Sequence, residues 1–240
     1  MAQDLSGKTV LITGGSKGIG LGVAEALVDA GAQVTITART GSEVEAAAAK
    51  LEARGGGSAL GVACDVRDLE AQHGAVAATV ERFGSLDALI ANAGIGRMGP
   101  VDTLGVSDWH AMIDTNLTGV FYSVKAAVEA LKESRGTIVT ISSLAGTNFF
   151  AGASGYNATK FGLTGFSQAI MLDLRRYGIR VSTIMPGSVA TFIGGREPTE
   201  ADAWKIQPED IGEMVVYLLS VPARTLPSKI EVRPSLPPQR

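Results

Sequence analysis

The sequence predicts an α/β fold: a doubly wound parallel sheet of about seven strands, with helices on both faces, in a single domain over residues 1–240. Three observations predict it. Short apolar, β-branched runs alternate with longer stretches of helical periodicity along the chain. A glycine-rich turn joins the first run to the first helical stretch. Polar or glycine clusters recur just past the C-terminal ends of the runs, which is where open parallel sheets bind ligands.

Bulk properties agree. Hydrophobic residues make up 45 % and charged residues 19 %, so a sizeable core is available and global disorder is excluded. The 240 residues fit one α/β domain, for which about 200–250 is common. A net charge of −3 without a dense Lys/Arg run argues against a nucleic-acid partner. The lone Cys64 rules out an internal disulfide framework. Residues 1–8 carry no apolar leader segment, and the runs near 215–219 are too short to span a bilayer. The expectation is a soluble, cytoplasmic protein with no membrane partner. His73 and His110 have no companions at ligand spacing, so no metal site is expected.

Thr9-Val10-Leu11-Ile12 reads as the first buried strand. Thr13-Gly14-Gly15-Ser16-Lys17-Gly18-Ile19-Gly20 follows, then Ala24, Leu27 and Val28 at helical spacing. Strand, glycine loop and helix together suit a phosphate, because glycines admit close backbone approach and the helix start offers unpaired N–H groups. Residues 33–38 form the second strand, ending Ala38-Arg39 where an acid would bond a ribose 2′-hydroxyl. Arg39 and Lys17 suit a 2′-phosphate instead, at roughly 1.5–3 kcal/mol for each charge-assisted bond. Residues 43–54 have strong helix propensity and stop at Gly55-Gly56-Gly57. Residues 59–64 read as the third strand, followed by Asp65-Val66, and residues 68–82 as the next helix.

Residues 86–91 are the fourth strand, ending in Asn92-Ala93-Gly94, where a glycine suggests close approach of a ligand. Helices are expected over 107–115 and 120–131, with Asn116 at the junction as a kink, a cap or a water ligand. The fifth strand, 136–141, ends in Ser142-Ser143. A long helix covers 155–177, and the sixth strand, 179–184, leads to Pro186-Gly187. Pro208 with Glu209 and Asp210 marks a helix start. Residues 229–232 complete the strand count, and a frayed tail is expected over 234–240.

The long helix opens with Tyr156-Asn157-Ala158-Thr159-Lys160. A spacing of four puts the phenol and the ammonium on one helix face, roughly 5–6 Å apart at Cβ. A free phenol, with a pKa of about 10, is a poor proton-transfer group at neutral pH. An ammonium at about 4.5 Å and an effective dielectric of about 20 would lower that pKa by about 2–3. Tyr122, Tyr177 and Tyr217 have no basic residue four positions on.

The ordered set of motifs resembles the short-chain dehydrogenase/reductase family over essentially the whole chain, and is similar to its NADP-preferring 3-oxoacyl-(acyl-carrier-protein) reductases and carbonyl reductases. The set comprises Thr13-Gly14-x3-Gly18-x-Gly20, Asp65, Asn92-Ala93-Gly94, Asn116, Ser143, Tyr156-x3-Lys160 and residues 186–191. The resemblance implies a Rossmann-like fold and hydride transfer between NADP(H) and a ketone or 3-oxoacyl thioester. It implies that Tyr156 moves the substrate proton, Ser143 holds the substrate oxygen, Lys160 lowers the Tyr156 pKa and holds the ribose, and Asn116 anchors a water relay. Ser142 would support the loop. The cofactor would meet Gly14, Ser16, Lys17, Gly18, Ile19 and Gly20, and Arg39 at the 2′-phosphate. Asp65 and Val66 would lie at the adenine, and Asn92, Ala93 and Gly94 on the ribose side. Pro186, Gly187, Val189 and Thr191 would lie at the nicotinamide end.

Residues 188–206 would be a short substrate lid over an open or minimally covered site, with Leu144, Phe149, Phe150, Phe192 and Ile193 lining it. The family also implies a homodimer or homotetramer, which the atypical end Lys229-Ile230-Glu231-Val232-Arg233-Pro234 leaves open. A non-catalytic NADP-binding sensor on the same scaffold is the alternative. An epimerase or dehydratase with this Tyr–Lys pair would usually carry a further substrate domain.

Overall fold

A computed structural model describes residues 4–193, 195 and 197–236. Its centre is one parallel sheet of seven strands in the order β3-β2-β1-β4-β5-β6-β7. The strands are β1 Thr9–Thr13, β2 Gln33–Ala38, β3 Ser58–Ala63, β4 Ala88–Ala91, β5 Thr137–Ile141, β6 Arg180–Pro186 and β7 Lys229–Val232. The helices are α1 Gly18–Asp29, α2 Gly41–Glu52, α3 Leu69–Phe83, α4 Val106–Ile113, α5 Gly119–Ser134, α6 Ser154–Leu174 and α7 Pro208–Ser220. This is the Rossmann-like fold expected from the sequence.

Strand alternation divides the core. Val10, Ile12, Val34 and Ile36 pack with Val23 and Leu27 of α1, Val44 and Leu51 of α2, and Ile211 and Val215 of α7. Leu11, Leu89, Ile138 and Val181 face the other way, toward Val76 of α3, Val124 and Leu131 of α5, and Phe166 of α6. A period of two along each strand is what sends neighbours to opposite faces. Burial on both faces also explains why the strands read as apolar runs.

The chain winds outward from β1 to β3, then returns to place β4 on the other side of β1. The ends of β1 and β4 therefore open a crevice at the point where strand order reverses. Register aligns Ile12 with Ile90 there. At the sheet's far edge β7 runs parallel to β6, and Gly187 N donates to Val232 O at 2.8 Å.

The two helices expected around Asn116 are one continuous run. A π-helical turn, Asp114–Thr118, joins α4 to α5 and carries Asn116 inward. The long helix ends at Leu174, with a 3-10 turn over Arg175–Tyr177. The segment expected to act as a lid is tied at its two ends: Ala190 N donates to Ile206 O at 2.9 Å and Ile206 N to Ser188 O at 3.1 Å. Of the tail expected to fray, residues 237–240 lie outside the described residues.

Candidate active site

The glycine loop leaves β1 at the crevice. Gly14 has φ +67, and a Cβ there would lie 2.9 Å from Ala93 Cα. A Cβ on Gly20 would lie 2.2 Å from Gly14 O, so only glycine lets α1 start this close to the loop. Lys17 is the extended N-cap of α1 and caps with no side-chain hydrogen bond; the first turn holds no acid. The leading N–H groups of α1 are thus free of side-chain partners and suited to phosphate oxygens. Ser16 and Ile19, beside Lys17, are partly exposed on the same turn.

The two expected phosphate-clamp cations flank this loop. Lys17 lies within it, with Nζ 5.8 Å from the centre of the Phe192 ring. Arg39 follows β2, the strand whose Thr37 O accepts from Gly15 N at 2.9 Å. Arg39 is exposed, and its charge is felt at Asp65. Arg67 holds the Asp65 carboxyl below the usual range, through Nε to Oδ1 at 3.0 Å and through the guanidinium end, with a smaller effect from Arg39. Arg67 is a member of this corner that sequence reasoning missed, although Asp-x-Arg spacing across a turn is its signal. Val66 is buried against Gly119 at the start of α5. A cavity of about 450 Å³ opens beside Asp65, lined by Arg67, Asp68, Asp114, Thr118 and Tyr122.

Asn92 turns its side chain to the glycine loop: Nδ2 donates to Thr13 O at 2.9 Å and to Gly14 O at 3.0 Å. Asn92 N and Ala93 N both donate to Thr13 Oγ1 at 3.1 Å. The residue braces the end of β4 against the glycine loop, because both of its amide hydrogens find carbonyls there. Asn116 is likewise a brace. Its Nδ2 donates to Ile95 O at 2.8 Å and Thr159 Oγ1 at 3.1 Å, while Oδ1 accepts from Ile95 N at 2.8 Å. Gly94 passes next to it: a Cβ there would sit 3.3 Å from Asn116 Oδ1 and 3.8 Å from Lys160 Nζ.

Ser143, Tyr156 and Lys160 come together beyond β5. The Ser143 hydroxyl lies close enough to Tyr156 to act on the phenol's ionisation, while its Oγ donates to Pro186 O at 3.4 Å and accepts from Ala145 N at 3.1 Å. Ser142 Oγ instead meets Thr164 Oγ1 at 3.0 Å, in line with a loop-supporting role. Lys160 Nζ donates to Ile141 O at 3.0 Å and lies 5.7 Å from the Tyr156 ring centre. The expected depression of the tyrosine by the lysine is not what the geometry gives. Burial pushes the Tyr156 phenol above its ordinary pKa, and the Ser143 hydrogen bond pulls part of the way back. Burial also brings Lys160, 6 % exposed, down to about 8. Desolvation outweighs attraction because both groups are enclosed and the amine is turned to a carbonyl. At neutral pH this leaves a protonated phenol, which is a proton donor.

Pro186 O accepts from Ser143 Oγ at 3.4 Å, and Val189 bridges Ile206. Thr191 lies over Gly18, with Cβ 3.6 Å from where a Gly18 side chain would begin. Ile193 reaches Gly96 across the crevice, at 3.3 Å by the same measure. Phe149, Phe150, Phe192, Ile193 and Met98 are exposed, Ile193 and Met98 both beside Gly96, whereas Leu144 is half-buried against Gly187. Met112, Ala145 and Tyr156, with Ile95 and Leu104, form an apolar wall below. Among the described residues no group of three or more His, Cys, Asp or Glu is placed to hold a metal, and no helix is long and apolar enough to cross a membrane.

A family model described as short chain dehydrogenase matches residues 8–202. The chain is 38 % identical to a trans-4-hydroxycyclohexanecarboxylate dehydrogenase of Sinomonas cyclohexanicum, over 89 % of this chain and 86 % of the relative. It is 36 % identical to a 3-alpha-(or 20-beta)-hydroxysteroid dehydrogenase of Mycobacterium bovis, over 92 % and 85 %. An alcohol dehydrogenase from the archaeon Thermococcus sibiricus, solved in complex with 5-hydroxy-NADP, superimposes with a TM-score of 0.91 at 29 % identity, covering 97 % of this chain and 98 % of that one.

Proposed function

Because this chain belongs to the short-chain dehydrogenase family, we propose that it is an NADP(H)-dependent oxidoreductase that interconverts a ketone and a secondary alcohol. The observation that carries the reading is the Ser143–Tyr156 hydroxyl pair above buried Lys160, at the strand end that faces Gly94. When bound, the nicotinamide supplies or accepts the hydride. The uncapped start of α1 fits the cofactor's phosphates, with Gly14, Ser16, Gly18, Ile19 and Gly20 lining that turn. Lys17 and Arg39 would hold a 2′-phosphate, and Asp65 and Val66 the adenine end. Ala93 and Gly94 would meet the ribose, and Pro186, Gly187, Val189 and Thr191 the nicotinamide end.

In reduction, Tyr156 gives its hydroxyl proton to the carbonyl oxygen as the C–H bond forms. In oxidation the phenolate takes that proton back. Ser143 donates to the oxygen on which charge develops; one such donor is worth about 10²–10³ in rate at comparable sites. Lys160, cationic below about pH 8, stabilises the phenolate left behind. A phenol held protonated by burial favours reduction near neutrality and oxidation at alkaline pH.

Substrate class is part of the proposal. The apolar wall suits a compact alicyclic ketone or alcohol, and the named relatives are a hydroxycyclohexanecarboxylate dehydrogenase and a hydroxysteroid dehydrogenase. A 3-oxoacyl thioester is the competing substrate. Loss of NADPH absorbance over a panel of cyclic ketones and acyl thioesters decides between them. Tyr156→Phe is expected to abolish turnover while NADPH still binds. Binding of NADPH by the parent protein with no turnover on any carbonyl would favour the sensor reading. Assembly as a homodimer or homotetramer also belongs to the proposal. It is supported by exposed Phe121, Phe161 and Leu172 on α5 and α6 and is measurable by light scattering.

A further inference from the structure

Asn157, the neighbour of Tyr156, occupies a position that the proposed chemistry does not use. It is buried, and both hydrogens of its amide are engaged: Nδ2 donates to Ala145 O at 2.7 Å and to Asn148 O at 2.7 Å. These carbonyls belong to the loop after β5, whose 3-10 turn, Leu144–Gly146, starts at Ser143. The Ala145 backbone is therefore held on both sides of its Cα. Its C=O, in the peptide to Gly146, accepts from Asn157, and its N–H, in the peptide from Leu144, donates to Ser143 Oγ at 3.1 Å.

That arrangement has a consequence for the Ser143 proton. With one lone pair of Oγ facing Ala145 N–H, the hydroxyl donates to Pro186 O at 3.4 Å in this structure, and the nearby Tyr156 oxygen is the acceptor it would exchange for it. Small shifts of the Ala145 backbone decide between these acceptors, since hydrogen bonds weaken steeply with distance and angle. We propose that Asn157 is a positioning residue: by clamping the Ala145 backbone it holds the Ser143 hydroxyl within reach of the Tyr156 oxygen and the reacting substrate oxygen. The inference rests on the reading of Tyr156 as the proton-transfer group. The groups facing the phenol are Ser143 from the β5 loop and Lys160 from its own helix. The apolar residues packed there are Met112, Ala145, Ile95 and Leu104, and among the described residues no charged group contributes to the phenol's shift.

The test uses Asn157→Ala and Asn157→Asp, the latter of the same size but unable to donate when ionised, each alone and combined with Ser143→Ala. Asn157→Ser, which keeps one donor, replaces either variant that fails to fold. Expected is a fall in kcat of about tenfold, the equivalent of one misdirected hydrogen bond, with NADPH affinity unchanged. The phenolate titration of Tyr156, read by absorbance against Tyr156→Phe, moves to higher pH, because the donor that favours the phenolate is lost. Neither change recurs in the Ser143→Ala background, since Asn157 acts through Ser143. Effects that add to those of Ser143→Ala, or a kcat loss matched by weaker NADPH binding with an unmoved phenolate midpoint, would overturn the proposal. The phenolate titration needs no substrate, so it still judges Asn157 if the parent protein turns over no carbonyl.

Discussion

Lys160 offers a measurable conflict between stability and chemistry. Its amine is buried, with a pKa of about 8 in the fold against a reference of 10.5. The difference corresponds to about 3 kcal/mol. A lysine with a depressed folded pKa destabilises the fold wherever it must be charged. The penalty is therefore full below about pH 8, lifts as pH rises from about 8 toward 10.5, and is absent above that. Lys160→Met keeps the apolar stem and removes the charge. It also removes the bond to Ile141 O at 3.0 Å, a loss of about 1–1.5 kcal/mol. The variant should be more stable than the parent by about 1–2 kcal/mol at pH 7. Near pH 10.5 it should be less stable by about 1 kcal/mol. Urea titrations of both proteins across this range measure the difference, in which other alkaline ionisations cancel. Activity should be lost at every pH. A variant less stable than the parent at pH 7, or a stability difference that ignores pH, would refute the argument from burial.

Other outcomes follow from single residues. Thr35 Oγ1 is buried without a hydrogen-bond partner among the described residues, so Thr35→Val should raise stability by about 1 kcal/mol in urea titration. Arg39→Asp should weaken NADPH and relatively favour NADH; fluorescence titration of both cofactors measures it, and an unchanged NADPH Kd would remove Arg39 from the phosphate. Asn92→Ala leaves Thr13 O and Gly14 O without their side-chain donor. NADPH affinity should fall about tenfold, together with a loss of about 1–2 kcal/mol in stability.

The strands were legible because burial on both faces makes β1, β4 and β5 continuous apolar runs. Their order in the sheet was not legible, because each pairing joins segments distant in the chain and only the folded sheet shows it. The Tyr156–Lys160 pair was legible because helical spacing is local. The sign of the tyrosine's pKa was not, since an estimate from spacing assumes a solvated amine near the phenol, whereas tertiary burial turns Lys160 toward Ile141. Asn92, Asn116 and Asn157 illustrate the same limit. Each uses its amide on carbonyls brought near by folding, from Thr13, Ile95 and Ala145 respectively. An asparagine in a sequence carries no mark of which distant backbone it will meet. The π-helical turn that presents Asn116 was equally hidden, because one turn of altered hydrogen bonding leaves the apolar periodicity of α4 and α5 intact.

The edge strand has a consequence for biosynthesis. The segment after β6 leans on β7 through Gly187 N and Val232 O, and Thr183 N similarly reaches Ser228 O. Translation delivers β7 last. While a ribosome still shelters residue 232, the glycine loop and α6 can already have folded, yet the stretch after β6 lacks its outer neighbour. Vectorial synthesis thus acts as a timer, and the backbone after β6 gains its outer support only once the seventh strand has paired.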